Sequence, residues 1–539
     1  MRRLLLCLSV LALLVGGTVT ATAEPSDTGR PVVDCGSLVR DYDLPGTRAH
    51  VTSATPVTDG IAHCDVRGHV DDKVRFQLRL PTAGYSGRYV QYGCGGLCGE
   101  LYAPEFPERC GPRPGDAAVA STDDGHVGTG ATPFFDATWA ANDQKARDDW
   151  QFRAPHVTSL ASKAVIKAFY GAGPRQSYFT GCSNGGQEAL LLAQRYPHDF
   201  DGIVSAAPGA YFGALVLYEA WLTRVNTDAA GGSVLTAPKL PVLHEAVLAR
   251  CDGIDGLVDR QLDDPRRCDF DPGTLRCATG DAPTCLTDAQ VDTARKLYAG
   301  PTDAAGVRLY PGNEAYGSEL AWYGWIVPAP EYGEAFARTL ADNYLRYAGY
   351  PIGTPHSSVD AVPFTQAELR RIGVEGARGN AMSLDLSEFR RSGGKLVLWH
   401  GWNDQAIPAD STLDYYERLT RTSGGPAATR RWARLFAVPA MYHCFGGTTL
   451  TEFDPLKELF SWVEQDRAPE RVVATGRDGD GNVVRTRPVF PYPLTARYDG
   501  SGSTDEAANF VPALPAKRPK DAIDWAGTYL HHVPGPVAP

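Results

Sequence analysis

The sequence predicts an α/β fold, and three features of the chain support this prediction. Short apolar runs alternate with helix-like segments between about residues 74 and 208. The alternation stops near residue 210 and resumes at Lys395–His400. The stretch Gly181-Cys-Ser183-Asn-Gly185 stands between a strand-like run and a helix-like run. Strands and helices that alternate at this spacing form parallel sheets with crossover helices.

The individual strands and the first long helix follow from side-chain spacing. The segment Val74–Leu80 alternates apolar and polar residues, which is typical of a strand with one buried face. Apolar residues from Ala154 to Tyr170 recur at helical spacing and predict an amphipathic helix. Short apolar runs predict further strands at Arg88–Tyr92, Ala118–Thr122, Ser177–Thr180, Asp201–Pro208, Lys395–His400 and Trp432–Val438.

The Ser183 stretch contains the pattern G-x-S-x-G between a predicted strand and the helix-like run Gln187–Gln194. This context is typical of a nucleophile elbow, a tight turn that lifts a serine hydroxyl above a sheet. The alternative is an ordinary glycine-rich loop, because so short a pattern also recurs by chance. We predict an α/β-hydrolase fold with Ser183 as the nucleophile. The loop Gly93–Gly99 leaves an early strand, where this fold places its second oxyanion donor.

The segment from 210 to 390 differs in style from the rest of the chain. It carries Pro and Asp clusters, cysteines and scattered aromatic side chains in place of regular strand–helix alternation. We therefore predict a discontinuous catalytic domain, residues 24–209 and 391–539, interrupted by a large inserted lid domain, residues 210–390. Core packing and substrate contact are both open roles for the aromatic residues of the insert, which include Trp221, Trp322, Tyr323 and Trp325.

A histidine and an aspartate stand where a serine hydrolase of this fold needs them. A serine hydroxyl attacks only when a histidine takes its proton, and a carboxylate must hold that histidine in the correct tautomer. The chain order in this fold is Ser, Asp, His, each after a strand. Asp404 follows the strand at Lys395–His400, and His443 follows the last predicted strand. His400 is a rival base, but it precedes Asp404 and so gives the wrong order.

Charge and the first residues limit the partners and the location. The formal net charge is −11 and no basic run is present, which argues against a nucleic-acid partner. Residues 1–23 read as a signal peptide, with Arg2-Arg3, an apolar segment from Leu4 to Val15, and a small-residue site at Ala21–Ala23. We expect a secreted, extracellular protein. No other segment is apolar enough to span a membrane, so no membrane partner is expected.

Export makes disulfides the expected state of the cysteines. Removal of Cys7 with the signal leaves an odd number, and the sequence by itself does not determine the pairing. Cys182 directly precedes Ser183, and Cys444 directly follows His443. If the triad forms, a Cys182–Cys444 disulfide would tie the nucleophile turn to the histidine loop; pairing of both cysteines elsewhere is the alternative.

Cys182-Ser183, Asp404 and His443-Cys444 resemble the CS-D-HC motif of the tannase and feruloyl esterase family. Further matching segments are Asp123-Asp-Gly-His126, Gly181–Gly186, Tyr196–Gly202, Gly393–Leu396, His400–Asp404 and Pro491-Tyr-Pro493. The resemblance implies an α/β-hydrolase with a lid and hydrolysis of carboxylic esters, often hydroxycinnamate, gallate or related aromatic esters. It also implies that the backbone N–H groups of Asn184 and Gly95 are the oxyanion donors.

The same resemblance gives a reading of an acidic loop in the insert. Asp252, Asp255 and Asp259 lie within a few residues of one another, and such carboxylates repel unless a cation collects them. A solvated acidic turn is the alternative. The family's lid carries a structural calcium loop of this form, with backbone carbonyls at the positions of Leu257 and Gln261. We therefore expect Ca²⁺ here, with a role in structure and none in catalysis.

The predicted disulfides are Cys182–Cys444, Cys35–Cys64, Cys251–Cys268 and Cys277–Cys285. Cys94, Cys98 and Cys110 crowd the oxyanion loop, where one pair is expected and one cysteine is left over. The chain departs from the family at Phe490 and Pro512, where cysteines are common, and the loss of both predicts a missing disulfide.

The prediction is thus a secreted serine esterase that acts on aromatic esters of small molecules or polymers. A terephthalate-monoester hydrolase or an esterase of broad specificity remains open. So does a non-catalytic secreted protein that binds phenolic compounds or wall polymers.

Overall fold

A computed structural model describes residues 29–107, 115–515 and 518–533. The predicted signal peptide, residues 1–23, and Cys110 lie outside the described residues. No helix in the described part of the chain has the length and apolar character needed to cross a membrane.

The described residues form one large mixed sheet and two small antiparallel sheets. The strands are β1 Asp41–Leu44, β2 Thr47–Val57, β3 His63–Val70, β4 Val74–Pro81, β5 Arg88–Tyr92, β6 Ala117–Thr122, β7 Gln176–Cys182, β8 Gly202–Ala206, β9 Lys395–Gly401, β10 Ala433–Val438, β11 Val472–Arg477, β12 Val483–Val489, β13 Thr495–Tyr498 and β14 Phe510–Ala513. The helices are α1 Gln144–Asp148, α2 Ala154–Tyr170, α3 Asn184–Arg195, α4 Phe212–Val225, α5 Leu240–Cys251, α6 Asp288–Ala299, α7 Phe336–Asn343, α8 Gln366–Gly376, α9 Ser387–Arg391, α10 Ala409–Thr422, α11 Pro426–Thr429 and α12 Leu456–Gln465.

The large sheet has ten strands among the described residues, in the order β1-β2-β3-β4-β6-β5-β7-β8-β9-β10. From β6 to β10 the neighbouring strands are parallel, which confirms the α/β prediction for that part of the sheet. The first four strands are antiparallel, and β4 also pairs antiparallel with β6. The sheet is therefore mixed, because an antiparallel N-terminal edge adjoins the predicted parallel part.

The central strands are covered on both faces. Helices α2 and α3 pack one face with residues such as Val165, Phe169 and Leu190. Helix α12 packs the other face with Leu459 and Phe460. Strand β6 is buried along its whole length. Parallel strands that are covered on both faces appear in the sequence as continuous apolar runs, without alternation.

The chain between β8 and β9, residues 207–394, contributes no strand to the large sheet in the described structure. We call it the helical region. It holds α4 to α9 and has a hydrophobic core of its own, with Trp221 and Trp322 inside it. The C-terminal residues Trp525 and Leu530 join that core. The boundaries 210 and 390 of a lid domain stay a prediction.

Arg147 joins α1 to the helical region through a fully buried guanidinium group. It donates hydrogen bonds to the carbonyl oxygens of Ala140 at 2.7 Å, Tyr350 at 2.7 Å and Tyr347 at 2.6 Å. The carboxylate of Glu375 lies 3.5 Å away and balances the charge. This one side chain therefore satisfies carbonyl groups from both sides of the contact.

We expect Arg147→Met to lower the free energy of unfolding by about 3–5 kcal/mol, because it removes the nearer cation from Glu375 and takes the donor away from three carbonyl groups. Thermal or urea unfolding measures the change. Arg346→Ala is the matched control, because Arg346 is half-exposed and pairs with Asp342 within one helical turn. An exposed pair contributes about 0.5 kcal/mol. Equal losses in the two variants would contradict a special role for Arg147.

Candidate active site

Ser183 occupies the turn between β7 and α3. Its backbone has φ 64° and ψ −118°, a conformation that non-glycine residues rarely adopt. The turn is held in place because Ser183 N–H donates to Ala206 O at 3.0 Å. A Cβ atom on Gly181 would lie 2.5 Å from the backbone of Gly185, so only glycine allows the two segments to approach this closely. The local sequence therefore builds the predicted elbow.

Asp404 and His443 meet at the ends of β9 and β10. His443 Nδ1 lies 2.7 Å from Asp404 Oδ2. An ionised carboxylate only accepts hydrogen bonds, so Nδ1 carries the hydrogen and Nε2 is left with a free lone pair. Burial would raise the pKa of Asp404, but the neighbouring His443 charge and the hydrogen bonds from the two histidines bring it below its usual range.

His400 supports Asp404 and does not face the cavity that contains Ser183. Its Nε2 lies 2.7 Å from Ile407 O and 3.1 Å from Asp404 Oδ2, so Nε2 carries hydrogen. Its Nδ1 accepts from Thr412 Oγ1 at 2.8 Å. The ring is fully buried. This rival base is therefore a buried side chain that helps to orient the aspartate.

The serine and histidine segments are joined by a disulfide. Cys182 and Cys444 are bonded, with their Cα atoms 5.9 Å apart and 262 residues between them. Ser183 and His443 consequently line one cavity. In the described structure no hydrogen bond joins Ser183 Oγ to His443 Nε2, and serine–histidine pairs commonly tighten only when substrate binds.

The other disulfides of the described chain are Cys35–Cys64, Cys94–Cys98, Cys251–Cys268 and Cys277–Cys285. Cys94 and Cys98 are thus the pair within the oxyanion loop, a pairing that the sequence left open.

The oxyanion loop after β5 is anchored to α3. Cys94 O accepts a hydrogen bond from Gly185 N at 2.7 Å, and Gly95 O accepts from Cys98 N at 2.9 Å. A Cβ atom on Gly95 would meet nothing within 4 Å, so this residue faces open space in the cavity. Asn184 begins α3 directly after Ser183, which puts the positive end of the helix dipole beside the nucleophile.

Two buried carboxyl groups lie beneath this loop. Glu188 Oε1 accepts from Asn184 Nδ2 at 2.7 Å and lies 3.0 Å from Cys94 Sγ. Asp124 Oδ2 lies 3.5 Å from the same sulfur atom. Burial and mutual repulsion raise the pKa of Asp124, and burial raises that of Glu188. A disulfide sulfur has no hydrogen to donate, so the raised pKa values, and not these sulfur contacts, favour a proton on the carboxyl pair.

The cavity above Ser183 has a volume of about 900 Å³ and mainly apolar walls. The helical region provides the largest share of these walls, together with the β7–α3 turn and loops that follow β5, β6, β9 and β10. The aromatic lining residues are Tyr102, Phe134, Phe135, Phe212, Tyr323, Trp325, Tyr332, Phe336, Tyr442 and Phe445. Of the four aromatic residues singled out in the insert, Tyr323 and Trp325 line the cavity, while Trp221 and Trp322 are core.

The acidic loop at residues 252–263 lies beside β12 and β13, around a separate cavity of about 250 Å³. Asp255, Leu257, Asp259 and Gln261 line that cavity, and so does Asp263, which the sequence analysis did not select. Asp252 instead accepts hydrogen bonds from the backbone N–H groups of residues 259, 260 and 261 at 3.0–3.2 Å.

The charges of this loop suit a hard cation. Burial raises the pKa of Asp263, and repulsion from the neighbouring Asp255 raises it further. Burial also raises the pKa of Asp255, and repulsion from neighbouring aspartates adds to this effect. Arg487 pairs with Asp259 and neutralises only part of the negative charge. Carboxylate and carbonyl oxygens are the donors that Ca²⁺ prefers. The residues present therefore fit a calcium ion.

The sequence matches the family described as tannase and feruloyl esterase over residues 58–513. The chain belongs to the tannase and feruloyl esterase family. It is therefore a carboxylic ester hydrolase, and its mixed sheet is the α/β-hydrolase sheet predicted from the sequence.

Similar members of this family include two bacterial proteins and one solved structure. An uncharacterised esterase of Xanthomonas campestris pv. campestris is 32% identical over 92% of this chain and 93% of its own length. A mono(2-hydroxyethyl) terephthalate hydrolase of Piscinibacter sakaiensis is 33% identical over 86% of this chain and 87% of its own length. The crystal structure of feruloyl esterase B from Aspergillus oryzae superposes with a TM-score of 0.75 at 26% identity, covering 86% of this chain and 97% of that one.

Several polar residues of the site escaped the sequence analysis. Glu219 interrupts the apolar helical run Leu215–Leu222, and Glu188 directly precedes the run Ala189–Ala193. A carboxylate inside an apolar helix is a usable signal, because a charge is costly to bury unless it has a function or a partner. Asp263 follows the acidic loop and could have been included by extending that loop by two residues.

We expect the double variant Cys182→Ala/Cys444→Ala to lose about 10- to 100-fold in kcat/KM, because small displacements of catalytic groups have effects of that size. The variant Cys277→Ala/Cys285→Ala removes a disulfide that spans only 8 residues, far along the chain, and serves as the control. Both are assayed below the melting temperature of the weaker variant. Equal activity losses would contradict a positioning role for the Cys182–Cys444 bond.

Proposed function

We propose that this family member is a secreted serine esterase that hydrolyses esters of aromatic acids through an acyl-enzyme. The observation that carries the proposal is the 2.7 Å contact between His443 and Asp404 at the wall of the apolar cavity that also contains Ser183. That contact leaves a basic nitrogen on the cavity side of the histidine. Nothing else that lines the cavity in the described structure offers a comparable base.

The catalytic cycle follows from the tautomer of His443. Its Nε2 takes the hydroxyl proton as Ser183 Oγ attacks the ester carbonyl carbon. The resulting imidazolium is stabilised by the Asp404 carboxylate, and it then gives the proton to the leaving alcohol oxygen as the carbon–oxygen bond breaks. A water molecule, deprotonated by the same nitrogen, attacks the acyl-enzyme, and the proton returns to Ser183 Oγ as the acid leaves.

The oxyanion of each tetrahedral intermediate needs donors that are in place before the reaction. The backbone N–H groups of Asn184 and Gly95 suit this role, because one begins α3 and the other faces the cavity. Glu188 supports both segments, since it accepts from the Asn184 side chain at 2.7 Å and from Cys94 N at 3.4 Å. We assign Asn184 and Gly95 as oxyanion donors, with Glu188 as a residue that positions them.

The size and lining of the cavity support an aromatic acyl group. Stacking and edge contacts between aromatic rings favour a planar ring over a flexible alkyl chain of equal area. The names of the relatives agree with such substrates, because one is called a feruloyl esterase and another a terephthalate-monoester hydrolase. Hydroxycinnamate and gallate esters are the proposed substrates.

Secretion is supported by the N-terminal sequence and by the cysteines. Residues 1–23 have the composition of a signal peptide, and five disulfides occur within the described chain. Such bonds persist in oxidising environments, which include the space outside the cell. Measurement of the mature N-terminus of secreted protein would test this part of the proposal.

We also propose a structural Ca²⁺ in the loop at residues 252–263. Asp255 and Asp259 would supply carboxylate oxygens, and Leu257 and Gln261 backbone carbonyls, with Asp252 bracing the loop and Asp263 completing the acidic wall. The ion would only neutralise the aspartates of this loop, because the loop lines a different cavity from the one that contains Ser183. Without the ion, the carboxylates of this loop would repel one another beside β12 and β13.

We expect Ser183→Ala to lower kcat for a simple aryl ester by more than about 1,000-fold, because it removes the nucleophile. Wild-type protein should react with a fluorophosphonate probe and the variant should not, while both melt at similar temperatures. Wild-type protein that neither reacts with the probe nor hydrolyses any ester would support the rival function, a non-catalytic binding protein.

We expect removal of calcium with EDTA to lower the melting temperature by about 5 °C or more, and added CaCl₂ to restore it, because bound metal stabilises the folded state. The variant Asp255→Asn should melt lower and lose most of this response. Asp271→Asn is the control, because Asp271 is an exposed partner of Arg295 in the same region. Purified protein without calcium by elemental analysis, and with unchanged melting in EDTA, would contradict the site.

A further inference from the structure

Glu219 is a carboxylic side chain in the wall of an otherwise apolar part of the cavity. Helix α4 turns Phe212, Leu215 and Glu219 toward the cavity, at positions that share one helix face. The Glu219 side chain is fully buried. Its Oε2 accepts a hydrogen bond from Trp325 Nε1 at 3.1 Å. Its Oε1 has no hydrogen-bond partner among the described residues.

The surroundings of Glu219 favour its protonated form. Burial raises the pKa of this carboxyl well above its usual range, and repulsion from Glu314 and Asp404 adds to the effect, against a smaller opposing contribution from the Trp325 hydrogen bond. Because Trp325 N–H requires an acceptor, Oε2 is the carbonyl-type oxygen and Oε1 carries the hydrogen. A neutral carboxyl of this kind both donates and accepts hydrogen bonds.

A buried polar atom without a partner is costly, and native proteins rarely retain one without a function. Glu219 belongs to the wall of the substrate cavity, and its Oε1 is covered in the structure. A ligand group that displaces this cover can supply the missing partner. Hydroxyl groups fit best, because a hydroxyl can accept from Oε1–H and its own hydrogen can rotate toward another acceptor.

The charge balance of the cavity argues against an anionic ligand. No lysine or arginine is among the described residues that line it. A carboxylate placed there would find no lysine or arginine to pair with among the described lining residues. Burial of an unpaired charge costs several kcal/mol.

We propose that Glu219 determines substrate specificity: its carboxyl binds a hydroxyl substituent on the aromatic acyl group, and the cavity rejects acyl groups that carry a second, ionised carboxylate. This inference rests on the proposed esterase function. The proposed preference differs from the substrate in the name of the Piscinibacter relative, because a terephthalate monoester carries a free carboxylate.

The first test uses wild-type protein and three methyl esters with one aromatic scaffold: methyl 4-hydroxybenzoate, methyl benzoate and monomethyl terephthalate. Each kcat/KM is divided by the rate constant for hydrolysis by hydroxide, which removes differences in intrinsic reactivity. We expect monomethyl terephthalate to be at least about 100-fold poorer than the 4-hydroxy ester, from the cost of burying an unpaired charge. Equal or better hydrolysis of the terephthalate would overturn the proposal.

The second test combines a side-chain change with removal of the substrate hydroxyl. We expect Glu219→Leu to lower kcat/KM for methyl 4-hydroxybenzoate about tenfold more than for methyl benzoate, because only the first ester loses a hydrogen bond. Glu219→Gln, which keeps a donor and an acceptor, should restore most of the difference.

Glu314→Gln is the matched control, because Glu314 is another fully buried carboxyl of the helical region that does not line the cavity. It should leave the ratio between the two esters unchanged. A Glu219→Leu variant that loses activity equally on both esters would show a structural role and overturn the assignment. Failure of the esterase function itself would appear differently, as absence of fluorophosphonate labelling in wild-type protein.

Discussion

The Cys182–Cys444 disulfide is the constraint on which the geometry of the site depends. It joins segments 262 residues apart, and each of its cysteines adjoins a residue of the proposed catalytic triad. The helical region lies between these segments in the chain. The covalent bond fixes the distance between the Ser183 turn and the His443 loop independently of that region. The region can then vary its cavity walls without disturbing the catalytic groups.

Buried carboxyl groups recur around this fixed centre, and each has a different environment. Asp404 accepts hydrogen bonds from two histidines and from the backbone N–H groups of Ala406 and Ile407, so it stays ionised and orients His443. Asp124 and Glu188 lie close together, which favours a shared proton. Glu219 has a single donor partner in the described structure and stays neutral. The number of donors that surround each carboxyl decides its charge, and its charge decides what it can do.

The strands of the parallel half were predictable because burial on both faces leaves a clear signal in the sequence. Strand β5 and helix α2 have the predicted boundaries, and β7 and α3 surround Ser183 as expected. The N-terminal strands were missed for a physical reason. Strand β2 lies near the edge of the sheet and buries only Ala49 and Val51, so its polar residues do not alternate cleanly. In β3 the buried positions Cys64, Val66 and Val70 do alternate, and that signal could have been used.

The sequence by itself determined the order of Ser183, Asp404 and His443, the elbow around the serine, and the cysteines beside two of these residues. These features are local, since each depends on neighbours within a few positions. Only the tertiary structure decided that Cys94 pairs with Cys98, and that Trp325 lines the cavity while Trp322 is core. These outcomes depend on which distant segments pack together, and one chain read in order carries no signal for that.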